Sequence, residues 1–97
     1  MAIQLKISIN KNPTVTFSPN PLAASTLDQI FWVNNDDTDP HWPGLQNADG
    51  SINKTFFMAN QIAPGGDTSA IFSPSTAASL PYACSLHQNE TGVINVT

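Results

Sequence analysis

This sequence predicts an all-β protein, a sandwich of seven or eight short strands. Three observations carry that prediction. Apolar residues recur with a period of two along several runs of four to eight residues. No segment sustains the 3.6-residue period of an amphipathic helix. Eight prolines and five glycines fall mainly between the apolar runs, where they read as turns.

Taken in order, Ile3, Leu5, Ile7 and Ile9 alternate with Gln4, Lys6 and Ser8, the pattern of a half-buried strand. Asn10 to Pro13 is turn chemistry, Val15 and Phe17 resume the alternation, and Pro19 and Pro21 end it. Ile30 to Val33 is a short apolar run suited to a strand covered on both faces, and Asn34 to Pro43 is a polar loop. Lys54 to Met58 is a further strand candidate, followed by a Pro64-Gly65-Gly66-Asp67 turn. Ser69 to Phe72, Leu80 to Cys84 and Gly92 to Thr97 complete the set, with Pro81 placed where its missing N–H is not needed. A short helical turn is expected, if anywhere, around Asn47 to Ile52 or Ser75 to Ser79.

The 97 residues are expected to form one domain, burying a little over ~60% of the surface of the unfolded chain. Three lysines, no arginine and a formal charge of −4 argue against a nucleic-acid partner, since phosphate binding needs positive charge. No apolar run approaches the ~20 residues of a helical membrane span. No leader is visible: the first ten residues alternate, and Met1-Ala2 fits the start of a mature domain cloned without one.

The chemistry concentrates near the C-terminus. Cys84 is the one cysteine, His87 follows three residues later and Glu90 three after that; His41, the other of two histidines, lies in the polar loop behind Pro40. A single cysteine excludes an internal disulfide, and a bound metal would occupy the leftover thiol. One thiolate and two imidazoles are the strong ligands of a blue-copper electron-transfer site. A loop of about seven residues between two strands can turn Cys84, His87 and a third side chain toward one point. His41 must then come from a neighbouring strand end.

The framing residues extend this pattern. Pro40-His41, Tyr82-x-Cys84-x-x-His87-x-x-Glu90-x-Gly92-x-Ile94-x-Val96, Phe17-Ser18-Pro19 before Leu22, Asp28 to Asn35, and Ile62-Ala63-Pro64-Gly65 stand in the order found in cupredoxins. The chain therefore resembles the cupredoxin family over nearly its whole length, particularly its plastocyanin, amicyanin and pseudoazurin groups. The resemblance implies a Greek-key sandwich holding one copper through His41, Cys84 and His87, an electron carrier rather than an enzyme, and an extracytoplasmic setting. It implies redox partner proteins docking at the face of His87, Leu86 and Pro43, with a basic partner favoured by the acidic surface, and a monomer.

Two positions depart from the family. Many members carry asparagine after the first histidine, where this chain has Trp42, a candidate for core, copper shield or docking surface. Members commonly place methionine two residues before the glycine of the last strand. Anchored on Gly92, that axial position is Glu90, with the spacing of amicyanin. A carboxylate is a harder, stronger donor than a thioether, so a low-potential site, green or red rather than blue, is expected. The other readings are an open, red-copper-like site that binds or transforms a small molecule, and a copper carrier. Asp36, Asp37 and Asp39 are expected to be solvated loop charges, Trp32 core, and Tyr82 packed beneath the site with its hydroxyl at the surface.

Overall fold

The computed structural model describes residues 3–97; Met1 and Ala2, on which the reading of the chain start rests, lie outside the described residues. Among the described residues nine strands run in two sheets: β1 (Gln4–Lys11), β2 (Val15–Ser18), β3 (Leu22–Ala24), β4 (Gln29–Asn34), β5 (Pro43–Gln46), β6 (Ile52–Asn53), β7 (Asp67–Thr68), β8 (Ala78–Cys84) and β9 (Thr91–Val96). One sheet has the order β2-β1-β4-β7 and the other β3-β9-β8-β5-β6. Both are mixed: β1 pairs parallel with β4 and β3 parallel with β9, while the remaining pairs are antiparallel.

The period-two segments β1 and β9 are among the longest strands because each buries one face. Ile7 and Ile9 of β1, Ile30 and Trp32 of β4, Tyr82 of β8 and Ile94 and Val96 of β9 meet between the sheets. Aromatic edges knit this core, with Trp32 against Phe57 (5.0 Å) and Tyr82 (5.5 Å), and Phe17 against Tyr82 (5.0 Å). Each fully buried aromatic withdraws well over 100 Å² from water, so this cluster dominates the apolar contribution to stability.

The structure corrects several local expectations. Ile30 to Val33 is fully buried on one face only, since Phe31 and Val33 are half-exposed. Residues 54 to 58 make turns and bends rather than a strand, and β6 ends at Asn53. Phe57 and Met58 are nonetheless buried: their side chains are held by the core rather than by a ladder. Ser69 to Phe72 contributes one isolated bridge, Phe72 to Ile30, and the strand lies just upstream at Asp67–Thr68. No helix occurs among the described residues, and residues 47–50 form a turn closed by Gly50 at φ 90°. Strand β3 was not foreseen, because three residues after Pro21 are too short to show alternation. No helix among the described residues is long and apolar enough to cross a membrane.

Two features of the second sheet bear on the site. Pro43 opposes Cys84 across β5 and β8, so the loop carrying His41 ends against the strand carrying the cysteine. Gly44 lets β6 close on β5: a Cβ there would stand 2.7 Å from the Lys54 Cα and 2.8 Å from the Asn53 carbonyl oxygen. Pro81 lies where β8 is paired with β9 but has not yet met β5, whose pairing starts at Tyr82.

Candidate metal centre

Cys84 is the last residue of β8 and fully buried. Beyond it the chain folds into a tight loop tied by backbone hydrogen bonds. His87 N donates to Cys84 O (3.2 Å), Glu90 N to His87 O (3.0 Å), and Cys84 N to Glu90 O (2.9 Å). Ser85 N donates to Trp42 O at 2.7 Å, joining this loop to the one that carries His41. His41 is held by a two-way bridge with Ile62, its N–H donating to Ile62 O (3.1 Å) and Ile62 N–H donating back (2.8 Å).

These constraints bring all four predicted side chains to one point. The donor atoms of His41, Cys84, His87 and Glu90 all lie within 4.8 Å of one another. Cys84 Sγ is 3.7 Å from His41 Nδ1 and 3.8 Å from His87 Nδ1. Glu90 Oε1 is 2.9 Å from His41 Nδ1 and 3.5 Å from His87 Nδ1. Ligands around a tetrahedral first-row metal stand roughly 3.3–3.8 Å apart, the range of three of these four separations. The Glu90 Oε1 atom carries the fit further. It is buried, and its near neighbours are the two imidazoles at 2.9 and 3.5 Å. A buried carboxylate oxygen needs a compensating positive charge, which a cation at the convergence point would supply in place of the His41 proton.

The metal-free electrostatics point the same way. Burial disfavours a charged His41, yet hydrogen bonds to Cys84 and Asp36 and the fields of Glu90 and Cys84 raise it to about 9. Burial likewise opposes the Cys84 thiolate, but hydrogen bonds from His41, the Trp42 and Leu86 backbones and His87 bring it below its ordinary value. The cluster is built to hold positive charge among anionic donors. Trp42 N–H also donates to Sγ at 3.3 Å.

Trp42 is half-buried; its ring is capped by the Lys54 ammonium at 5.0 Å and its Nε1 donates to Met58 O at 3.4 Å. Its side chain packs against the edge of the core, and only its backbone N–H reaches the cysteine. Met58 is buried in that core. The Ser85 hydroxyl is buried with no hydrogen-bond partner.

Three expectations near the site are corrected. Pro43 is fully buried by its pairing against Cys84, so the exposed face beside the site is formed by Leu86 (44% exposed) and His87 without it. The Tyr82 hydroxyl is not at the surface; the residue is fully buried, its oxygen has no partner, and burial pushes its ionisation far up. Gly92 makes this possible, since any Cβ there would overlap the phenol ring. Asp36 is not solvated but 1% exposed, with Oδ2 at 2.9 Å from His41 Nε2. Asp37 is exposed, and Asp39 forms a surface pair with Lys11 at 3.3 Å. Asn34, fully buried, went unnoticed in the sequence. Its side-chain amide donates to the carbonyls of Asp39, Ile62 and Ala63 at 3.0–3.2 Å, bracing both segments around His41. The visible signal was the Asn-Asn-Asp-Asp-Thr string, whose Asx side chains cap nearby backbone N–H groups.

No family model matches the chain, and no curated protein matches it either. Solved structures do. Amicyanin from Paracoccus versutus is 18% identical with a TM-score of 0.74, over 97% of this chain and 81% of that one. A reduced Cu(I) form of an amicyanin mutant at pH 4 is 15% identical with a TM-score of 0.75, and a reduced tryptophan-to-tyrosine amicyanin mutant is 14% identical with a TM-score of 0.76. Each alignment covers 97% of this chain and 82% of the other. The chain has the cupredoxin fold. Within that cupredoxin sandwich, the four-residue cluster sits where β8 runs into its C-terminal loop, opposite the start of β5.

Proposed function

We propose that residues 1–97 form one copper-binding domain that carries single electrons between partner proteins. One observation bears most of the weight: a thiol sulfur, two imidazole Nδ1 atoms and a buried carboxylate oxygen converge within 4.8 Å. His41, Cys84 and His87 would be the strong ligands, with Glu90 as the fourth donor. Copper, as in the amicyanins, supplies the Cu(II)/Cu(I) couple at this donor set.

The chain's own part is to hold that set still and dry. His41 is locked by Ile62 and Asn34, and Cys84 and Glu90 by a loop whose N–H groups are turned inward. Donors that hardly move between oxidation states keep the reorganisation on electron transfer small. The Trp42 N–H bond to Sγ steadies negative charge on the sulfur. His87, with a side chain 39% exposed beside Leu86, is the route for electrons to the surface. An apolar rim with a net charge of −4 suits brief docking of a basic redox partner. The lone cysteine, protected only by a metal, fits an extracytoplasmic setting, and the carboxylate donor favours a low potential.

The visible and EPR spectra of the copper-loaded protein test this reading. An intense sulfur-to-copper band at one copper per chain, unchanged by azide or nitrite, is expected. A band that shifts with those anions would instead indicate an open site, and no band at all would sink the copper assignment.

The pH dependence has a definite sign. His41 holds a proton up to about pH 9 in the metal-free protein, and a metal must displace it. Apparent copper affinity should therefore rise by about tenfold per pH unit for each proton displaced, levelling off near pH 9. Competition titrations at pH 6, 7.5 and 9 read this directly. A flat profile would show that no protonated ligand is being displaced.

A further inference from the structure

Trp42 stands between His41 and the first residue of β5, and its backbone and side chain are anchored in different places. The β5–β8 register pairs Pro43 with Cys84, Gly44 with Ala83 and Leu45 with Tyr82. Extended by one residue, it sets Trp42 opposite Ser85. Half of that pair is made, since Ser85 N donates to Trp42 O at 2.7 Å. In an antiparallel ladder two such residues exchange both hydrogen bonds, so the Trp42 N–H should return to Ser85 O. It turns instead to Cys84 Sγ, at 3.3 Å.

The indole accounts for that turn. Its Nε1–H donates to Met58 O at 3.4 Å, and the Lys54 ammonium lies over its ring at 5.0 Å. Both anchors belong to residues 54–58, which leave the sheet after β6 and are held at their far end by the buried Phe57 and Met58. At the near end Gly44 lets the Lys54 Cα and the Asn53 carbonyl settle on β5, where a Cβ would meet them at 2.7 and 2.8 Å. The carbonyl of His41, which shares a peptide plane with the Trp42 N–H, accepts from Ile62 N at 2.8 Å. The peptide is thus gripped through its carbonyl and through the indole, in an orientation that the β5–β8 ladder alone would not give it.

We propose, on the copper reading of the site, that the Trp42 indole is a positioning group that diverts its own backbone N–H from Ser85 to the cysteine sulfur. A hydrogen bond to the sulfur holds there electron density that would otherwise go to Cu(II), so it favours Cu(I) and raises the reduction potential. It opposes the effect of the Glu90 carboxylate at the same centre. Without the indole, the N–H falls back to Ser85 O and the ladder closes by one further pair. Trp42→Leu removes both anchors, whereas Trp42→Phe keeps a ring under Lys54 and loses only the bond to Met58 O. The diversion should be lost fully in the first and partly in the second. A tryptophan that merely packs at the core edge predicts something else: both variants lose stability while the N–H stays on the sulfur.

Two measurements decide it. In the metal-free protein, the NMR coupling transmitted across a hydrogen bond reports which acceptor the amide of residue 42 uses. The parent should show no coupling to the Ser85 carbonyl carbon, Trp42→Leu a clear one and Trp42→Phe a weaker one. In the copper-loaded protein, relative affinity for Cu(I) over Cu(II) should fall on the order of tenfold in Trp42→Leu, a drop of about 59 mV in potential, and by less in Trp42→Phe. A coupling to Ser85 already present in the parent overturns the proposal, as does its absence from Trp42→Leu or a potential that does not fall. Should Trp42→Leu fail to fold, Trp42→Phe decides by the same two signs. If the parent takes up no copper, the copper reading fails, while the coupling still decides where the indole directs the Trp42 N–H.

Discussion

Replacing Cys84 with serine should abolish the intense visible band of the copper-loaded protein and weaken copper binding by on the order of a hundredfold or more. The sulfur is the one soft, covalent donor of the set, and the band arises from charge transfer out of it. A serine hydroxyl does not ionise near neutral pH, so it provides neither the charge nor the orbital. The exchange is small in volume, and Trp42 N–H retains an acceptor in the serine oxygen, so the sandwich should persist. Near-ultraviolet circular dichroism, dominated by the buried Trp32 and Tyr82, monitors that separately. A Cys84→Ser protein that kept the band would exclude Cys84 as the metal-bound sulfur.

Replacing Glu90 with glutamine or methionine should raise the reduction potential. The carboxylate brings negative charge to within 2.9 Å of one imidazole and 3.5 Å of the other, and it stabilises Cu(II) more than Cu(I). Its removal is expected to shift the potential upward by on the order of 100 mV, since about 59 mV corresponds to a tenfold change in relative affinity for a one-electron couple. The spectrum should move with it toward the blue form, methionine further than glutamine. Cyclic voltammetry and EPR of the three proteins give the answer together. A potential and copper hyperfine pattern common to all three would place Glu90 outside the coordination sphere.

The expectations that succeeded and failed separate along physical lines. Strands β1, β2 and β9 were legible because each buries one face of an alternating run, and β4 and β8 because each is a short apolar run, signals written in consecutive residues. Residues 54–58 misled because Phe57 and Met58 are buried by the inter-sheet core, an environment that apolar character cannot distinguish from a ladder. The cluster of Cys84, His87 and Glu90 was legible because a single short loop carries all three. Glu90 was found through its register against Gly92, a position that matters structurally because the Tyr82 ring leaves no room there for a side chain.

Asp36 and Asn34 were the instructive failures. In the string Asn-Asn-Asp-Asp-Thr-Asp every side chain has similar polarity, and nothing local marks which will face inward. The choice is made by partners far along the chain: Ile62 and Ala63, whose carbonyls receive the Asn34 amide, Gly65 and Gly66, whose N–H groups bond back, and the His41 ring. Pro43 and the Tyr82 hydroxyl failed for the same reason, their burial being set by opposing strands and by the missing side chain of Gly92.

The order of residues therefore sufficed to specify the sandwich, the donor side chains and their spacing, because hydrophobic period, turn chemistry and a short donor-rich loop are all local properties. Convergence of His41 on the cysteine loop across 43 positions, the inward turn of Asp36 and the burial of Glu90 Oε1 between two imidazoles belong to the folded state alone. They depend on which strand lies opposite which, and only the closed sandwich brings those surfaces together.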